Sequence, residues 1–149
     1  MTIASQSAAE RRQKIQDHAA SIGIDETYIS TLVDTFYGHI QKHSQLGPIF
    51  AQVIGDGDWA PHLATMKRFW SSVALSTGLY SGQPVPKHRA VAGIEERHFT
   101  LWLGLFEKTL EETAATPETV DYFMERANRI AESLKLAIFG YSGLPAGPE

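Results

Sequence analysis

The chain has 149 residues and carries 13 lysines and arginines against 17 aspartates and glutamates, a formal charge of −4. A chain of this length buries about two thirds of its surface in one core, and its 43% of hydrophobic residues supports a single folded domain. The acidic balance argues against nucleic-acid binding, and the absence of cysteine excludes disulfides and thiolate metal sites. No segment is typical of an export signal or a membrane span, so we expect a cytoplasmic protein without a membrane function.

The N-terminal residues predict a weak helix. The segment from Ser7 to Ile22 is mostly polar, and only three apolar residues recur in it at helical spacing, namely Ile15, Ala19 and Ile22. Gly23 follows as a helix stop. We therefore assign residues 1–24 to a weakly helical extension with no assigned role and place the main domain at residues 25–142.

Two strong amphipathic helices follow, separated by a short corner. Asp25 is a suitable N-cap for the first helix, whose apolar positions are Ile29, Leu32, Val33, Phe36, Tyr37 and Ile40. Gly47-Pro48 interrupts this pattern, and residues 49–54 are too few for more than a turn or two, which predicts a corner packed by Phe50. The next helix begins at Asp58, tolerates Pro61 in its first turn, and has an apolar stripe formed by Trp59, Leu63, Met66, Phe69, Trp70 and Val73.

The second half of the chain contains a long connection and two further helices. About sixteen residues after Thr77 are rich in glycine and proline, which predicts an irregular loop with a functional role, because compact domains seldom leave such a length unstructured. Apolar periodicity predicts one helix through residues 99–110 and another through residues 120–138. Thr116-Pro117 supplies the start of the last helix and Gly140 its end. The tail, residues 143–149, is expected to be disordered.

The pattern as a whole predicts an all-α fold. No alternation of strand length and no internal repeat occurs in the sequence. Four long helices with wide apolar faces suit either a four-helix bundle or a globin-like arrangement, in which the helices cross at steeper angles. The short corner and the glycine- and proline-rich connection in the middle of the chain favour the globin-like arrangement.

Histidine is the best metal ligand that the sequence offers, since the chain has six histidines and no cysteine. Motifs for phosphate binding and for nucleophilic catalysis are missing. His39 and His43 lie four residues apart on one helix, but they occupy its last turn among polar residues, which favours a solvated surface over a metal site. We interpret His98, at a helix start, as structural.

Four residues together suggest a haem pocket. His62 projects from the same helix face as Phe69, where a buried imidazole needs a partner. Tyr37 and Trp102 lie on the apolar faces of two other helices, and His88 lies on the irregular segment. Each of the four has a plain structural interpretation when taken alone. Together they provide what haem iron needs, which is an axial imidazole on one side and an apolar cleft with a few hydrogen-bond donors on the other.

Seven motifs follow one another along the chain, namely Phe36-Tyr37, Leu46-Gly47-Pro48-Ile49-Phe50, Trp59-Ala60-Pro61-His62, Phe69-Trp70, Gly82-Gln83-Pro84, Lys87-His88 and Phe99-Thr100-Leu101-Trp102-Leu103. In these motifs and their order the sequence resembles the group III truncated haemoglobins. The resemblance implies a two-over-two helical sandwich with haem b as the cofactor and His88 as its proximal iron ligand. It also implies that Tyr37, His62 and Trp102 lie on the ligand side. The implied cofactor-binding residues are Phe36, Phe50, Met66, Phe69, Trp70, His88 and Trp102.

The resemblance further implies binding of dioxygen, nitric oxide and carbon monoxide. Hydrogen bonds from Tyr37 and Trp102 would stabilise bound dioxygen and slow its release, which favours redox chemistry, such as nitric oxide detoxification or peroxide reduction, over oxygen delivery. Such chemistry requires a reductase, which the sequence does not identify. The residues leave open whether His62 gates ligand entry or binds the sixth iron position. They also leave open a haem-based ligand binder or sensor without turnover, and a haem-free helical interaction module.

Overall fold

The computed structural model describes residues 3–55, 59–80, 82, 84–91 and 93–140. Within these ranges the chain forms seven helices and no strand, which confirms the all-α prediction. The helices are α1 (Ile3–Ser21), α2 (Glu26–Lys42), α3 (Leu46–Ile54), α4 (Trp59–Leu75), α5 (Pro84–Arg89), α6 (Glu96–Thr113) and α7 (Pro117–Phe139). In the part of the chain so described, no helix combines the length and the hydropathy that a membrane crossing requires. The tail predicted at residues 143–149 lies outside the described residues.

Short-range sequence signals set several helix ends as predicted. The Asp25 carboxylate accepts a hydrogen bond at 2.8 Å from a backbone N–H in the first turn of α2, and the Thr116 hydroxyl accepts one at 3.2 Å in the first turn of α7. Gly23 and Gly140 adopt φ angles of 96° and 82° after α1 and α7. These positive angles favour glycine and allow the chain to leave the helix. The predicted start of a helix at Asp58 lies outside the described residues.

Two predictions about irregular segments are wrong. Gly47-Pro48 does not interrupt helix formation, because both residues lie in the first turn of the nine-residue helix α3, where a missing backbone N–H is tolerated. A β-carbon at Gly47 would lie only 2.9 Å from the Gln41 carbonyl oxygen, so glycine lets α3 begin directly against the end of α2. The connection after Thr77 is not wholly irregular, because α5 forms within it.

The core lies between α2, α4 and α6. Helix α2 packs against α4 and α6, while α7 packs along α6 and also contacts α5. The Phe106 ring lies 5.0 Å from the rings of Phe36, Trp70 and Trp102, and we call these four residues the central stack. Phe36, Trp70 and Phe106 are each 1% exposed. The central stack therefore joins the three helices that carry Tyr37, His62 and Trp102.

Helix α1 is complete over 19 residues, although its sequence predicted only a weak helix. Its last turn enters the core through Ala19 and Ile22, and the Thr116 hydroxyl of the α6–α7 corner donates a hydrogen bond to the Ile22 carbonyl oxygen at 3.1 Å. Residues 8–14 are exposed. Tertiary contacts at its C-terminal end therefore hold a helix whose own apolar face is narrow.

Candidate functional site

An aromatic cluster surrounds Tyr37 beside the central stack. The rings of His62, Phe50 and Trp59 lie 5.0, 5.9 and 6.4 Å from the Tyr37 ring. We call Tyr37, Phe50, Trp59 and His62 the Tyr37 cluster. Helix α2 supplies the tyrosine, α3 supplies Phe50 and the first turn of α4 supplies the other two. Phe36 links this cluster to the central stack, with its ring 5.2 Å from that of Tyr37.

Two polar side chains of the Tyr37 cluster have no hydrogen-bond partner for one polar atom among the described residues. The Nε2 atom of His62 is buried and has no partner among the described residues. Tyr37 is 2% exposed, and burial raises the pKa of its hydroxyl with no hydrogen bond to the described residues opposing the rise. Most buried polar atoms are paired, and an unpaired one costs about 1–3 kcal/mol. Both groups are thus available to hydrogen-bond a molecule bound beside them.

Burial also determines the charge state of the site. The pKa of His62 is lowered from its ordinary value of 6.5, first because burial penalises the charged imidazole and second because Lys87 repels it. His62 and Tyr37 are therefore neutral near pH 7, and each can donate a hydrogen bond. Lys87 immediately precedes His88 in the sequence, so its effect on His62 indicates that α5 lies close to the start of α4.

The His88 side chain is half-buried and has a defined tautomer. Its Nδ1 atom lies 2.7 Å from the Pro84 carbonyl oxygen. Because a carbonyl oxygen only accepts, Nδ1 carries the proton and the lone pair of the neutral ring lies on Nε2. This is the arrangement in which a histidine binds a metal through Nε2 while its other nitrogen orients the ring. The Phe99 ring lies 6.4 Å from the imidazole.

These residues fit an iron porphyrin. The Nε2 lone pair of His88 is the donor that haem iron requires, and the unpartnered His62 Nε2 and Tyr37 hydroxyl are suited to a small polar ligand. No group of three or more histidine, aspartate and glutamate side chains in the described ranges could hold a metal ion by itself. A single imidazole donor suits a metal whose other ligands would come from a macrocycle.

The other predicted site residues lie around the Tyr37 cluster. Trp102 stacks on Phe106 at 5.0 Å and contacts the edge of Phe36 at 5.1 Å, so one ring separates it from Tyr37. Phe36 and Trp70 are core residues at 1% exposure, while Met66 and Phe69 are partly buried at the edge of the core. The contact of these side chains with a cofactor stays a prediction.

Three of the remaining histidines have surface or structural roles. His39 Nε2 lies 2.8 Å from the Glu112 carboxylate on the surface. The Nδ1 atom of His43 accepts a hydrogen bond at 3.1 Å from the Leu46 N–H at the start of α3. The Nδ1 atom of His98 accepts a backbone hydrogen bond at 2.9 Å at the start of α6. The structural interpretation of His98 and the surface interpretation of His39 agree with this placement.

Sequence reasoning missed Trp59 and Tyr80 as residues near the site. Trp59 lies three positions before His62 on the same helix, and the two rings are 6.2 Å apart, so helical spacing alone could have found it. The Tyr80 ring contacts the Phe69 ring edge-on at 5.1 Å from the loop before α5. A β-carbon at Gly82 would clash with the Tyr80 side chain. No periodic signal marks Tyr80 in the sequence.

Comparisons with known proteins converge on one family. The family described as bacterial-like globin matches residues 20–135. The group 3 truncated hemoglobin ctb of Campylobacter jejuni is 34% identical over 122 residues, which cover 80% of this chain and 95% of that protein. A crystal structure of the group III truncated hemoglobin from Campylobacter jejuni matches with a TM-score of 0.74 and 32% identity, covering 83% of this chain and 96% of that chain. The globin-like arrangement is thus confirmed over the four-helix bundle.

Proposed function

The chain belongs to the bacterial-like globin family as a group III truncated haemoglobin, and from that premise we propose that it binds haem b through His88, with Tyr37, His62 and Trp102 on the ligand side. Membership of the globin family implies haem binding and the binding of diatomic gases, here dioxygen, nitric oxide and carbon monoxide. Haem, when bound, supplies an iron that coordinates such molecules and changes oxidation state. The protein residues hold the cofactor and shape the pocket.

His88 holds the cofactor from one side. The hydrogen bond from its Nδ1 to the Pro84 carbonyl oxygen keeps the lone pair on Nε2 and orients the ring. The walls of the pocket are apolar and aromatic, which excludes water from the ligand side. We assign these walls to Phe36, Phe50, Met66, Phe69, Trp70 and Trp102.

The observation that carries the proposal is the buried, unpartnered His62 Nε2 beside the buried ring of Tyr37, 5.0 Å away. Donors fixed in a dry pocket favour a ligand on which negative charge develops. If the Tyr37 hydroxyl and the Trp102 indole each contribute about 1–2 kcal/mol, together they slow dioxygen release about ten- to a thousandfold relative to an apolar pocket. Such slow release suits chemistry on the ligand better than delivery of the ligand.

We therefore assign the protein to redox chemistry in the cytoplasm, either nitric oxide detoxification or peroxide reduction, with electrons supplied by a reductase. The direct test mixes the oxygenated protein with nitric oxide and follows nitrate and ferric haem, then repeats the cycle with a chemical reductant. Nitrate formation that continues over many cycles supports turnover. Loss of activity after one cycle, together with no consumption of peroxide, would instead favour a ligand binder or sensor.

The assignment of His88 is tested by spectroscopy. The ferrous protein is expected to show an iron–histidine stretching band in resonance Raman spectra, and the His88→Gly variant should lose it and regain a corresponding band when free imidazole is added. His39→Ala, at the surface, is the matched control and should keep the wild-type spectrum. A His88→Gly protein that retains the original band without imidazole would refute this assignment.

The assignment of the donors is tested by kinetics. Tyr37→Phe and Trp102→Phe should each release dioxygen faster, by about five- to thirtyfold for a lost hydrogen bond of 1–2 kcal/mol. Stopped-flow displacement by carbon monoxide measures the rate. Tyr28→Phe is a suitable control, because the Tyr28 hydroxyl is hydrogen-bonded to Thr113 at 2.8 Å outside the site. Unchanged rates in both site variants would mean that these donors point elsewhere.

A further inference from the structure

Helix α1 makes a specific contact through a residue that lies outside the family match. The match begins at residue 20, and residues 8–14 of α1 are exposed. Gln16 is different, because its side-chain amide is half-buried and its Nε2 atom donates a hydrogen bond at 3.0 Å to the Leu75 carbonyl oxygen. Leu75 is the last residue of α4. A residue before the matched region thus binds the end of the helix that begins beside His62.

The carbonyl groups at the end of α4 need partners from elsewhere. The last four carbonyl oxygens of an α-helix have no intrahelical N–H to accept from, and Ala74 and Leu75 are 0% and 7% exposed. The Tyr122 hydroxyl of α7 donates to the Ala74 carbonyl oxygen at 2.7 Å, and Gln16 serves Leu75 in the same way. Side chains from α1 and α7 together hold the last turn of α4.

The loop after α4 folds back onto that last turn. Ser76 adopts a φ of 55°, a left-handed conformation that costs energy in a residue other than glycine and persists only where the surroundings enforce it. The Thr77 hydroxyl is hydrogen-bonded to the Ser71 hydroxyl at 2.9 Å, and the Tyr80 N–H donates to the Ser72 hydroxyl oxygen at 2.8 Å. The direction of the chain toward α5 therefore depends on the position of the last turn of α4.

Helix α5 has little means of fixing its own position. It has only six residues, Pro84–Arg89, and a helix of that length is not stable by itself. Among the described residues its most extensive packing is against α7, and the His88 ring contacts Phe99 of α6. The place where the chain enters α5 consequently matters for the orientation of the His88 ring.

We propose that Gln16 is a positioning residue for His88: by holding the C-terminal end of α4, it fixes residues 76–80, which precede α5 in the chain. This inference rests on the proposed function, since it takes His88 as the iron ligand. The competing interpretation is that Gln16 merely attaches α1 to the rest of the protein. The two interpretations differ in whether loss of the Gln16 hydrogen bond reaches the iron–histidine bond.

The test compares three variants of the full-length haem protein. Gln16→Ala removes the side chain, and Gln16→Glu keeps its size but removes the amide donor near pH 7. Gln13→Ala is the matched control, because Gln13 lies on the same helix and its amide donates an exposed hydrogen bond to the Asp17 carboxylate at 2.9 Å. For each protein one measures the iron–histidine band, the rate of haem transfer to an excess of an acceptor apoprotein, and hydrogen exchange of residues 76–80 without haem.

Both Gln16 variants should shift or broaden the iron–histidine band and lose haem about fivefold faster, the effect of about 1 kcal/mol for one hydrogen bond. Exchange of residues 76–80 should also be faster, whereas Gln13→Ala should resemble the wild type in all three measurements. Circular dichroism identifies a variant that has not folded, and Gln16→Glu, which opens no cavity, then decides the question.

Two results would overturn the inference, and they are distinguishable. If the Gln16 variants lower thermal stability but keep the wild-type band, haem-loss rate and exchange, Gln16 only attaches α1, and the proposed function stands. If the wild-type protein itself shows no iron–histidine band, the proposed function fails and this inference fails with it.

Discussion

The two ends of α4 differ in whether their buried polar side chains are hydrogen-bonded. At the C-terminal end, Ser71 is 1% exposed, and its hydroxyl donates a hydrogen bond to the Glu26 carboxylate at 2.7 Å. The side chains of Tyr122 and Gln16 donate hydrogen bonds to the last two carbonyl oxygens of the helix. At the N-terminal end, His62 Nε2 is buried with no partner among the described residues. One helix thus carries a fully paired polar network and an unpaired group about three turns away.

The hydrogen bonding of buried polar groups distinguishes the C-terminal end of α4 from the Tyr37 cluster better than the extent of burial does. Ser71 and Tyr37 are 1% and 2% exposed, so accessibility does not distinguish them, but the Ser71 hydroxyl is hydrogen-bonded to Glu26. An unpaired buried polar atom lowers the stability of the fold by about 1–3 kcal/mol. An apolar residue at the same position would avoid this cost. The unpaired His62 Nε2 therefore carries a stability penalty of the kind expected at a ligand site, whereas the buried Ser71 hydroxyl at the end of α4 is hydrogen-bonded.

The largest effect is expected in the central stack. Trp70→Ala should lower the free energy of unfolding of the apoprotein by about 3–5 kcal/mol, because it removes a fully buried ring stacked 5.0 Å from Phe106. Urea unfolding followed by circular dichroism measures the change. Phe50→Ala, which truncates a half-buried ring of the Tyr37 cluster, is the comparison and should cost less. If Phe50→Ala lowered the free energy of unfolding more than Trp70→Ala, the central stack would not be the main source of stability and the comparison would fail.

A smaller loss is expected at the end of α4. Ser71→Ala removes the hydroxyl that joins Glu26 and Thr77, and it should lower the free energy of unfolding by about 1–3 kcal/mol because buried partners are left unpaired. Ser133→Ala, on the exposed side of α7, is the control and should change it little. Equal stability of the two variants in urea would show that the network does not stabilise the fold.

The long helices could be predicted from the sequence because each has a wide apolar face. Helices α2, α4, α6 and α7 follow the periodicity of their buried residues, and Asp25, Thr116 and Gly140 mark ends that depend on short-range chemistry. Helix α5 could not be predicted in this way. Its six residues contain no full apolar period, and contact with α7 supports it.

The residues of the candidate site could be proposed from residue types and motifs, but their hydrogen-bond partners could not be predicted from the sequence. Tyr37 and His62 lie on the apolar faces of two helices, and the structure brings their rings to 5.0 Å. The sequence contains no signal that His88 Nδ1 binds the Pro84 carbonyl oxygen or that Gln16 reaches Leu75, 59 positions away. Such contacts depend on how the elements pack, which local patterns do not encode.

A substitution in the Tyr37 cluster should raise the stability of the apoprotein rather than lower it. His62→Leu removes the unpaired Nε2 and adds apolar packing, so we expect the apoprotein to become more stable by about 1 kcal/mol. His98→Leu is the matched control. It should destabilise the apoprotein, because the Nδ1 atom of His98 accepts a backbone hydrogen bond at 2.9 Å. Urea unfolding near pH 7 measures both, and destabilisation by His62→Leu would indicate that His62 is paired in solution.

The smallest effect is a pH dependence that His62 alone contributes. The pKa of His62 is lowered in the folded protein from its ordinary value of 6.5, so below that pH the unfolded chain binds a proton that the folded protein binds less readily. The free energy of unfolding should therefore fall as the pH decreases below about 6.5, while above it this contribution is constant. Every other titratable group is common to the two proteins, so subtracting the profile of His62→Leu from that of the wild type over about pH 5 to 8 isolates His62. A difference independent of pH would mean that the imidazole takes up its proton equally well in both states, and the penalty assigned to the Tyr37 cluster would then not arise from a buried neutral histidine.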